Sequence, residues 1–353
     1  MKKFALTKNV EDLALQLLLV VWPLTSLIII LSATLRGYTV LAMSGRPSLG
    51  FYAICSAPIY AFVLFAYIYY QSRNDEIVAL SGIRKILSSG ILALIYAISV
   101  AAITAVFMRL LNESFIGLQL DIYTSAILVG AWCGGVAYAI TKLASHVSAI
   151  QLVNILSGFL IGGVLMSMIT TKDPNWWLAN FSTLGQVDQI RSISVYAFNM
   201  TLILSGFVML VIGQYLVFSI QKTFPKKDPK RDRKIATLRS LFTIISLGLM
   251  GVGIFPYKAE PLRELLHNGS AGIMVFGFLI LIGLLRWLLP QISKTFLTTS
   301  YITAAALVGA LLLFFKVGYL SLTAFELACF AICFSWYYLF LKQANAHVQQ
   351  ATN

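Results

Sequence analysis

The residues best suited to chemistry lie in two polar segments of the C-terminal half, 172–191 and 253–272. His267 is one of only three histidines, and its ring could act as a general base near neutral pH. Ser182 and Ser270 are the candidate nucleophiles. Four carboxylates could orient the ring: Asp173, Asp188, Glu260 and Glu264. Of these, Asp188 is counted with His267, Ser182 and Ser270 among the candidate catalytic residues. This set is typical of a hydrolase or transferase, whereas the alternative is that His267 only ties two loops together by hydrogen bonds.

The same segments could instead bind an amphiphile without reacting with it. A pair of tryptophans at the end of a membrane span is typical of the headgroup region, and polar side chains follow the pair closely in this chain. The candidate ligand-binding residues are Trp176, Trp177, Asn180, Ser182, Asn199, Pro256, His267 and Glu326.

Glu326 and Asn199 are polar residues inside apolar runs. Ionisable groups at membrane depth are costly and often functional, so Glu326, expected about two turns into the last span, could couple transport to protons. Its alternative role is an interhelical hydrogen bond. Asn199 is expected to make such a bond between helices.

Neither a metal nor a cofactor is expected. Three histidines do not supply a multi-histidine zinc site, and the four cysteines lie in apolar runs where small packing residues are common. The chain also has no glycine-rich phosphate loop followed by Lys and Ser or Thr.

The elements that position these residues follow from composition. Of 353 residues, 59% are hydrophobic and 11% are charged, whereas a soluble domain carries about 25% charged residues. The composition therefore excludes an ordinary soluble enzyme, a disordered chain and a secreted disulfide scaffold. It predicts an all-α, polytopic integral membrane helical bundle.

Apolar runs long enough to cross a bilayer predict ten transmembrane helices. The runs are 13–33, 51–70, 86–108, 122–141, 148–170, 195–219, 236–255, 270–289, 296–315 and 319–341.

The net charge of +13 predicts the orientation. With both termini in the cytoplasm, 18 of the 26 Lys and Arg residues fall in inside segments and 8 in outside segments, as the positive-inside rule requires. The two polar segments then face outward, and the protein is expected in the cell membrane. The basic loop 222–239 is expected to contact anionic lipid headgroups. It lacks the aromatic platform or recognition helix of a nucleic-acid partner.

The expected domains are a four-span N-terminal part (1–147), a six-span C-terminal part (148–345) and a polar cytoplasmic tail (346–353). The spacing of Gly130 and Gly134, and of Gly158 and Gly162, predicts close helix contacts at both pairs.

Three short motifs carry a family resemblance. They are Ser182 to Gly185 (Ser-Thr-Leu-Gly), Asn199 on the following span, and Gly253 to Pro256 (Gly-Ile-Phe-Pro) with His267. With these motifs, the chain resembles the bacterial membrane family called domain of unknown function 998 over about residues 148–342. That family is distantly similar to the eukaryotic FRAG/DRAM/SFK group, whose association with lipid handling implies a role at the outer leaflet. The four extra N-terminal spans depart from the six-span plan.

The sequence thus favours a non-enzymatic membrane protein that binds or distributes lipid at its outer face, with membrane lipids as its partners. Three alternatives stay open at this point. One is an intramembrane lipid hydrolase or transferase that uses His267, and another is a secondary transporter coupled through Glu326. The third is a bacteriocin-immunity or sensor protein with an exposed polar outer face.

Overall fold

The computed structural model describes residues 10–72, 82–145, 147, 149–186, 193–223, 229–258, 260–290 and 292–350. Within these residues, ten helices are long and apolar enough to cross a membrane. The prediction of an all-α bundle with ten spans is therefore confirmed, while the orientation of the termini stays a prediction. The helices are α1 (Val10–Leu35), α2 (Leu49–Ser72), α3 (Gly82–Ser114), α4 (Ile122–Ser145), α5 (Ala149–Thr170), α6 (Ile193–Thr223), α7 (Pro229–Ile254), α8 (Pro261–Gly283), the short α9 (Leu285–Leu288), α10 (Lys294–Phe315) and α11 (Leu322–Gln350).

The chain forms two compact units, Met1–Val147 (unit 1) and Ser148–Asn353 (unit 2). Unit 1 contains α1 to α4 and two short strands, and unit 2 contains α5 to α11. Of the predicted basic loop 222–239, residues 224–228 lie outside the described residues, as does His146. Residues 229–239 are not a loop, because α7 already begins at Pro229.

In unit 1, α1 packs closely against α4 because α4 presents glycine at the contact. A Cβ added at Gly130 would lie 2.7 Å from the Trp22 carbonyl oxygen, and one at Gly134 would lie 3.2 Å from that of Leu18. Ser26 donates a hydrogen bond across this contact to the Ala126 carbonyl at 2.9 Å. The predicted close contact at Gly130 and Gly134 is confirmed.

The corresponding prediction for α5 is wrong. A Cβ added at Gly158 or Gly162 would meet no atom of the described residues within 4 Å, whereas one at the neighbouring Gly163 would collide with Thr201 of α6. The glycine that faces the partner helix lies one residue further along, which a spacing rule does not resolve.

The loops at one end of unit 1 pair with each other. Strand β1 (Val40–Ala42), between α1 and α2, runs antiparallel to β2 (Gln119–Asp121), between α3 and α4, with Leu41 opposite Leu120. The Asp121 carboxylate then accepts hydrogen bonds at 3.0 Å from the backbone N–H groups of Tyr123 and Thr124 in the first turn of α4. Pairing of the two strands thus supplies hydrogen-bond partners for backbone groups of both loops.

In unit 2, α6 and α7 form the most buried pair of spans. Glycines again permit the contact: a Cβ at Gly206 would lie 2.8 Å from the Ser246 carbonyl oxygen, and one at Gly253 would lie 2.6 Å from that of Asn199. Helices α5 and α8 pack on opposite members of this pair, and α11 contacts α10, α5 and α6.

Two further span boundaries need correction. The eighth span was expected at 270–289, but α8 starts at Pro261 and ends at Gly283. Proline is favoured at the start of a helix, and Leu262 and Leu265 continue the apolar surface of the helix from there. The last span starts at Leu322, where Ser321 caps the helix by accepting from Ala324 N–H. Glu326 is therefore its fifth residue and lies closer to the helix end than predicted.

Candidate functional site

The connection from α5 to α6 contains two 3₁₀ turns, Trp176–Leu178 and Phe181–Gly185. Only the second turn enters the protein interior. In the second turn Phe181, Ser182, Leu184 and Gly185 are buried. A 3₁₀ turn this short leaves backbone groups without partners in the turn itself, and at this position they need partners from elsewhere. Side chains of the surrounding helices supply those partners.

Two helices, α6 and α11, bind carbonyl groups of this connection, and α5 supports one of the donors. Ser194 of α6 donates to Leu184 O at 3.2 Å, and Asn199 of α6 donates through Nδ2 to Gly185 O at 2.8 Å. Ser167 of α5 joins its hydroxyl to that of Ser194 at 2.9 Å. Thr323 of α11 donates to Trp177 O at 2.7 Å. The predicted role of Asn199 between two helices is replaced by a bond from a helix to a loop.

His267 of α8 reaches the same turn. Its Nε2 lies 2.9 Å from Ser182 Oγ and its Nδ1 lies 2.8 Å from the backbone oxygen of Phe255. A carbonyl oxygen can only accept, so Nδ1 carries the hydrogen, and in a neutral ring Nε2 then accepts. The Ser182 hydroxyl consequently donates to His267. Both side chains are almost completely enclosed, with exposures of 5% and 2%.

Glu326 of α11 meets the turn at its first residue. The backbone N–H of Phe181 donates to Glu326 Oε2 at 2.6 Å, and the backbone N–H of Ser182 also interacts with this carboxylate. Glu326 Oε1 lies 3.4 Å from Ser182 Oγ, which is beyond the usual length of an O–H···O bond. We call this group the Ser182 cluster: the side chains of Ser182, His267 and Glu326 with the backbone of Phe181 and Phe255.

The remaining candidates for ligand binding surround this cluster without joining it. Trp177 is about half exposed, and the Trp176 ring centroid lies 6.4 Å from that of Phe181. Asn180 is buried and its Oδ1 accepts from the Thr183 hydroxyl at 3.0 Å. Pro256 directly follows the carbonyl group that His267 binds and is only partly buried.

Ser270 is not a partner of His267, because its hydroxyl donates to the Leu266 carbonyl within α8 at 2.7 Å. Asp188 lies outside the described residues.

The other carboxylates expected to orient the imidazole have different partners. Asp173 accepts from Asn175 N–H at 2.8 Å. Glu260 pairs with Lys258 and with Arg263, and the hydrogen bond from Lys258 lowers the pKa of the Glu260 carboxyl. Glu264 is exposed at the surface of α8. The Phe255 carbonyl, not any of these acids, orients the His267 ring.

Sequence reasoning missed two parts of this arrangement. A backbone carbonyl has no side-chain signature, so the partner of Nδ1 was not identifiable. Glu326 was grouped with Ser182 as a candidate ligand-binding residue, but its contact with the turn was not predicted, because 144 residues separate the two along the chain. The signal that could have joined them is that both stand close to the same predicted membrane face.

The described residues contain no group of three or more His, Cys, Asp or Glu side chains that could hold a metal ion. The Ser182 cluster itself presents a serine hydroxyl paired with an imidazole, beside a carboxylate that accepts from the backbone N–H of Phe181.

No curated protein and no solved structure matches the chain. A family model does match, over residues 155–341, and the matched stretch contains every residue of the Ser182 cluster. Because this match covers more than half of the chain, the multi-pass membrane protein described here belongs to the family described as Protein of unknown function (DUF998).

Proposed function

We propose that the protein is a membrane-embedded acyl hydrolase or acyltransferase with Ser182 as the nucleophile and His267 as the general base. The observation that carries this proposal is the 2.9 Å contact between Ser182 Oγ and His267 Nε2. The Phe255 carbonyl fixes the ring in the tautomer whose Nε2 can take a proton. A nucleophile, a base and a group that orients the base are the three parts that acyl transfer through serine requires.

The reaction proceeds in two steps. Ser182 Oγ attacks the carbonyl carbon of an ester while its proton passes to His267 Nε2, and the ester bond breaks as that proton passes to the leaving oxygen. Water or a second alcohol then attacks the acyl-serine. His267 takes the proton of the incoming group and returns it to Ser182 Oγ, which restores the starting state.

The surroundings of the cluster favour a lipid as the substrate. Apolar side chains are exposed on both segments next to it: Trp177, Leu178, Leu262, Leu265 and Leu266. The reacting hydroxyl is enclosed between membrane-spanning helices and shielded from water. Because these exposed apolar side chains flank the cluster, an acyl lipid is the proposed substrate class.

Two of the other hypotheses have less support. Binding of lipid without chemistry would use the same exposed apolar residues, but it leaves the contact between Ser182 and His267 only the role of tying two segments together. Proton-coupled transport would need a carboxylate inside a water-accessible path near mid-membrane. Glu326 is the fifth residue of its helix and binds a backbone N–H, which is a different setting.

The test is covalent labelling of the purified full-length protein in lipid nanodiscs with a long-chain alkyl fluorophosphonate. Serine attack on phosphorus releases fluoride and leaves a stable adduct, which peptide mass spectrometry locates. We expect the adduct on Ser182, and we expect the Ser182→Ala variant to remain unlabelled. Ser270→Ala is the matched control, since its hydroxyl bonds within its own helix, and it should label at the rate of the unmodified protein.

Labelling that persists in Ser182→Ala, or its complete absence from a folded unmodified protein, would contradict the proposal. A lipid that co-purifies with such an unreactive protein, and that is lost on Trp177→Ala substitution, would support the non-enzymatic hypothesis instead.

A further inference from the structure

We infer that the backbone N–H groups of Phe181 and Ser182 form the binding site for the substrate's acyl oxygen, and that the protein's own Glu326 carboxylate occupies this site in the structure. The inference depends on the function proposed above. It identifies the ligand class of the site as the carbonyl oxygen of an ester or the carboxylate of a released fatty acid.

The position of the carboxylate carries the inference. Acyl transfer needs N–H donors about 2.7–3.1 Å from the oxygen that becomes negative, next to the nucleophile. Glu326 Oε2 accepts from Phe181 N–H at 2.6 Å, and Oε1 of the same group lies 3.4 Å from Ser182 Oγ. One oxygen of the carboxylate thus accepts a hydrogen bond from the Phe181 N–H, and the other lies beside the hydroxyl oxygen of Ser182. A fatty-acid product would lie in this way after hydrolysis of an acyl-serine.

Glu326 lies on α11, whereas Ser182 lies in the 3₁₀ turn and His267 on α8. Its carboxylate could therefore move away without breaking the hydrogen bond between Ser182 and His267. Neither the contact from Ser182 to His267 nor that from His267 to Phe255 involves it. The residue before the 3₁₀ turn, Asn180, makes no side-chain cap on the turn. With Glu326 withdrawn, the N–H of Phe181 would be open to a ligand oxygen.

A purely structural account is that Glu326 caps the 3₁₀ turn and holds it in place. The two accounts differ in what removal of the carboxylate does. If Glu326 only holds the turn, its loss should disorder Ser182 and slow its reactions. If it fills the acyl-oxygen site, its loss should make Ser182 more reactive and should create a site for added carboxylate.

The experiment compares labelling rates of Glu326→Ala and the unmodified protein with the same alkyl fluorophosphonate. We expect a rise of about ten- to a hundredfold in the variant, because a hydrogen bond to a charged acceptor no longer has to be broken before the phosphoryl oxygen binds. Octanoate added during labelling should slow the reaction of Glu326→Ala by refilling the site. It should have little effect on the unmodified protein, whose site is already filled.

Ser194→Ala is the matched control, because it removes another anchor of the same turn, the bond to Leu184 O, without opening the N–H groups. An equal rise in this control would overturn the inference, since loosening alone would then explain both results. Folded Glu326→Ala that labels more slowly than the unmodified protein, or that is insensitive to octanoate, would also overturn it while leaving the proposed function intact.

Glu326→Asp covers the case in which Glu326→Ala does not fold. It keeps the charge but shortens the side chain by one methylene, which draws the carboxylate away from Phe181 N–H. An intermediate rise in labelling supports the inference, and an unchanged or lower rate contradicts it. Failure of the function itself has a different signature, namely no Ser182 adduct in the unmodified protein or in any variant.

Discussion

The two units satisfy the backbone of their loops in different ways. In unit 1, loops between helices pair with each other as strands β1 and β2. In unit 2, the 3₁₀ turn Phe181–Gly185 is held by side chains of Ser194, Asn199 and Glu326. Strand pairing uses only backbone groups and leaves no reactive group behind. Support by side chains brings hydroxyl, amide and carboxylate groups to one enclosed place, and His267 completes a reactive pair there.

The helix contacts themselves do not differ in this way. Both units bring two spans together at glycine, at Gly130 in unit 1 and at Gly206 and Gly253 in unit 2. The difference between the units therefore lies in how loop backbone is satisfied. The expected effects of mutations in the two units follow from this difference.

The largest expected effect is on reactivity and is confined to unit 2. His267→Gln keeps a side chain that can hydrogen-bond but cannot act as a base, so the rate of Ser182 labelling should fall on the order of 10²- to 10⁴-fold. The measurement is the fluorophosphonate labelling rate at neutral pH. Ser26→Ala removes a partly buried hydrogen bond across α1 and α4 of unit 1, and it should leave that rate unchanged. Equal losses in both variants would remove the distinction between the units.

The next effect is on the stability of unit 1. Gly130→Val places a side chain against the Trp22 backbone, and overpacking of this kind costs about 1–3 kcal/mol. Gly135→Val is the matched control, because a Cβ at Gly135 meets no atom of the described residues within 4 Å. Thermal unfolding in detergent should show a lower midpoint only for Gly130→Val. Ser182 labelling should persist in both variants below their midpoints, and its loss there would show that unit 1 supports the cluster.

The third prediction compares the stability lost when a hydrogen bond from a helix to a loop is removed with that lost when a hydrogen bond within a helix is removed. Asn199→Leu leaves the Gly185 carbonyl without its donor, which should cost about 1–3 kcal/mol of unfolding free energy. Asn199 Oδ1 has no hydrogen-bond partner among the described residues, so its removal adds no further loss. Thr141→Val in α4 removes only a hydroxyl that donates to Ala137 of the same helix, and it should be nearly neutral. Denaturant titration of both variants would reveal the difference, and equal losses would contradict it.

The smallest effect concerns Asp121 and depends on pH. Hydrogen bonds from Thr124, through its side chain and its backbone N–H, and from Tyr123 N–H lower the pKa of the Asp121 carboxyl in the folded state. Such a carboxylate stabilises the fold above its ordinary pKa of about 4, and this contribution is lost as the pH falls through the lowered folded value. Asp121→Asn should therefore lower the unfolding midpoint slightly at neutral pH and less at acidic pH. A difference between the two proteins that grows on acidification would contradict this assignment.

Several features of unit 2 could be predicted residue by residue. His267 and Ser182 were each identified from residue type and position. Their pairing was one of several possibilities, because Ser270 stands closer to His267 along the chain and four acids were equally plausible partners. The choice was decided by the 3₁₀ turn, which carries Ser182 inward to the ring, and by the hydrogen bond that Ser270 makes within its own helix.

The sequence by itself determined the class of protein and the number of spans. Too few charged residues and ten long apolar runs leave a helical membrane protein as the physical solution, because each span must satisfy its own backbone in lipid. Only the tertiary structure decided which polar groups meet. The contacts among Ser182, His267 and Glu326 join a loop to two helices far apart along the chain, and no local pattern specifies such contacts. They arise because buried loop backbone needs partners, and the packing of α6, α8 and α11 determines which side chains reach it.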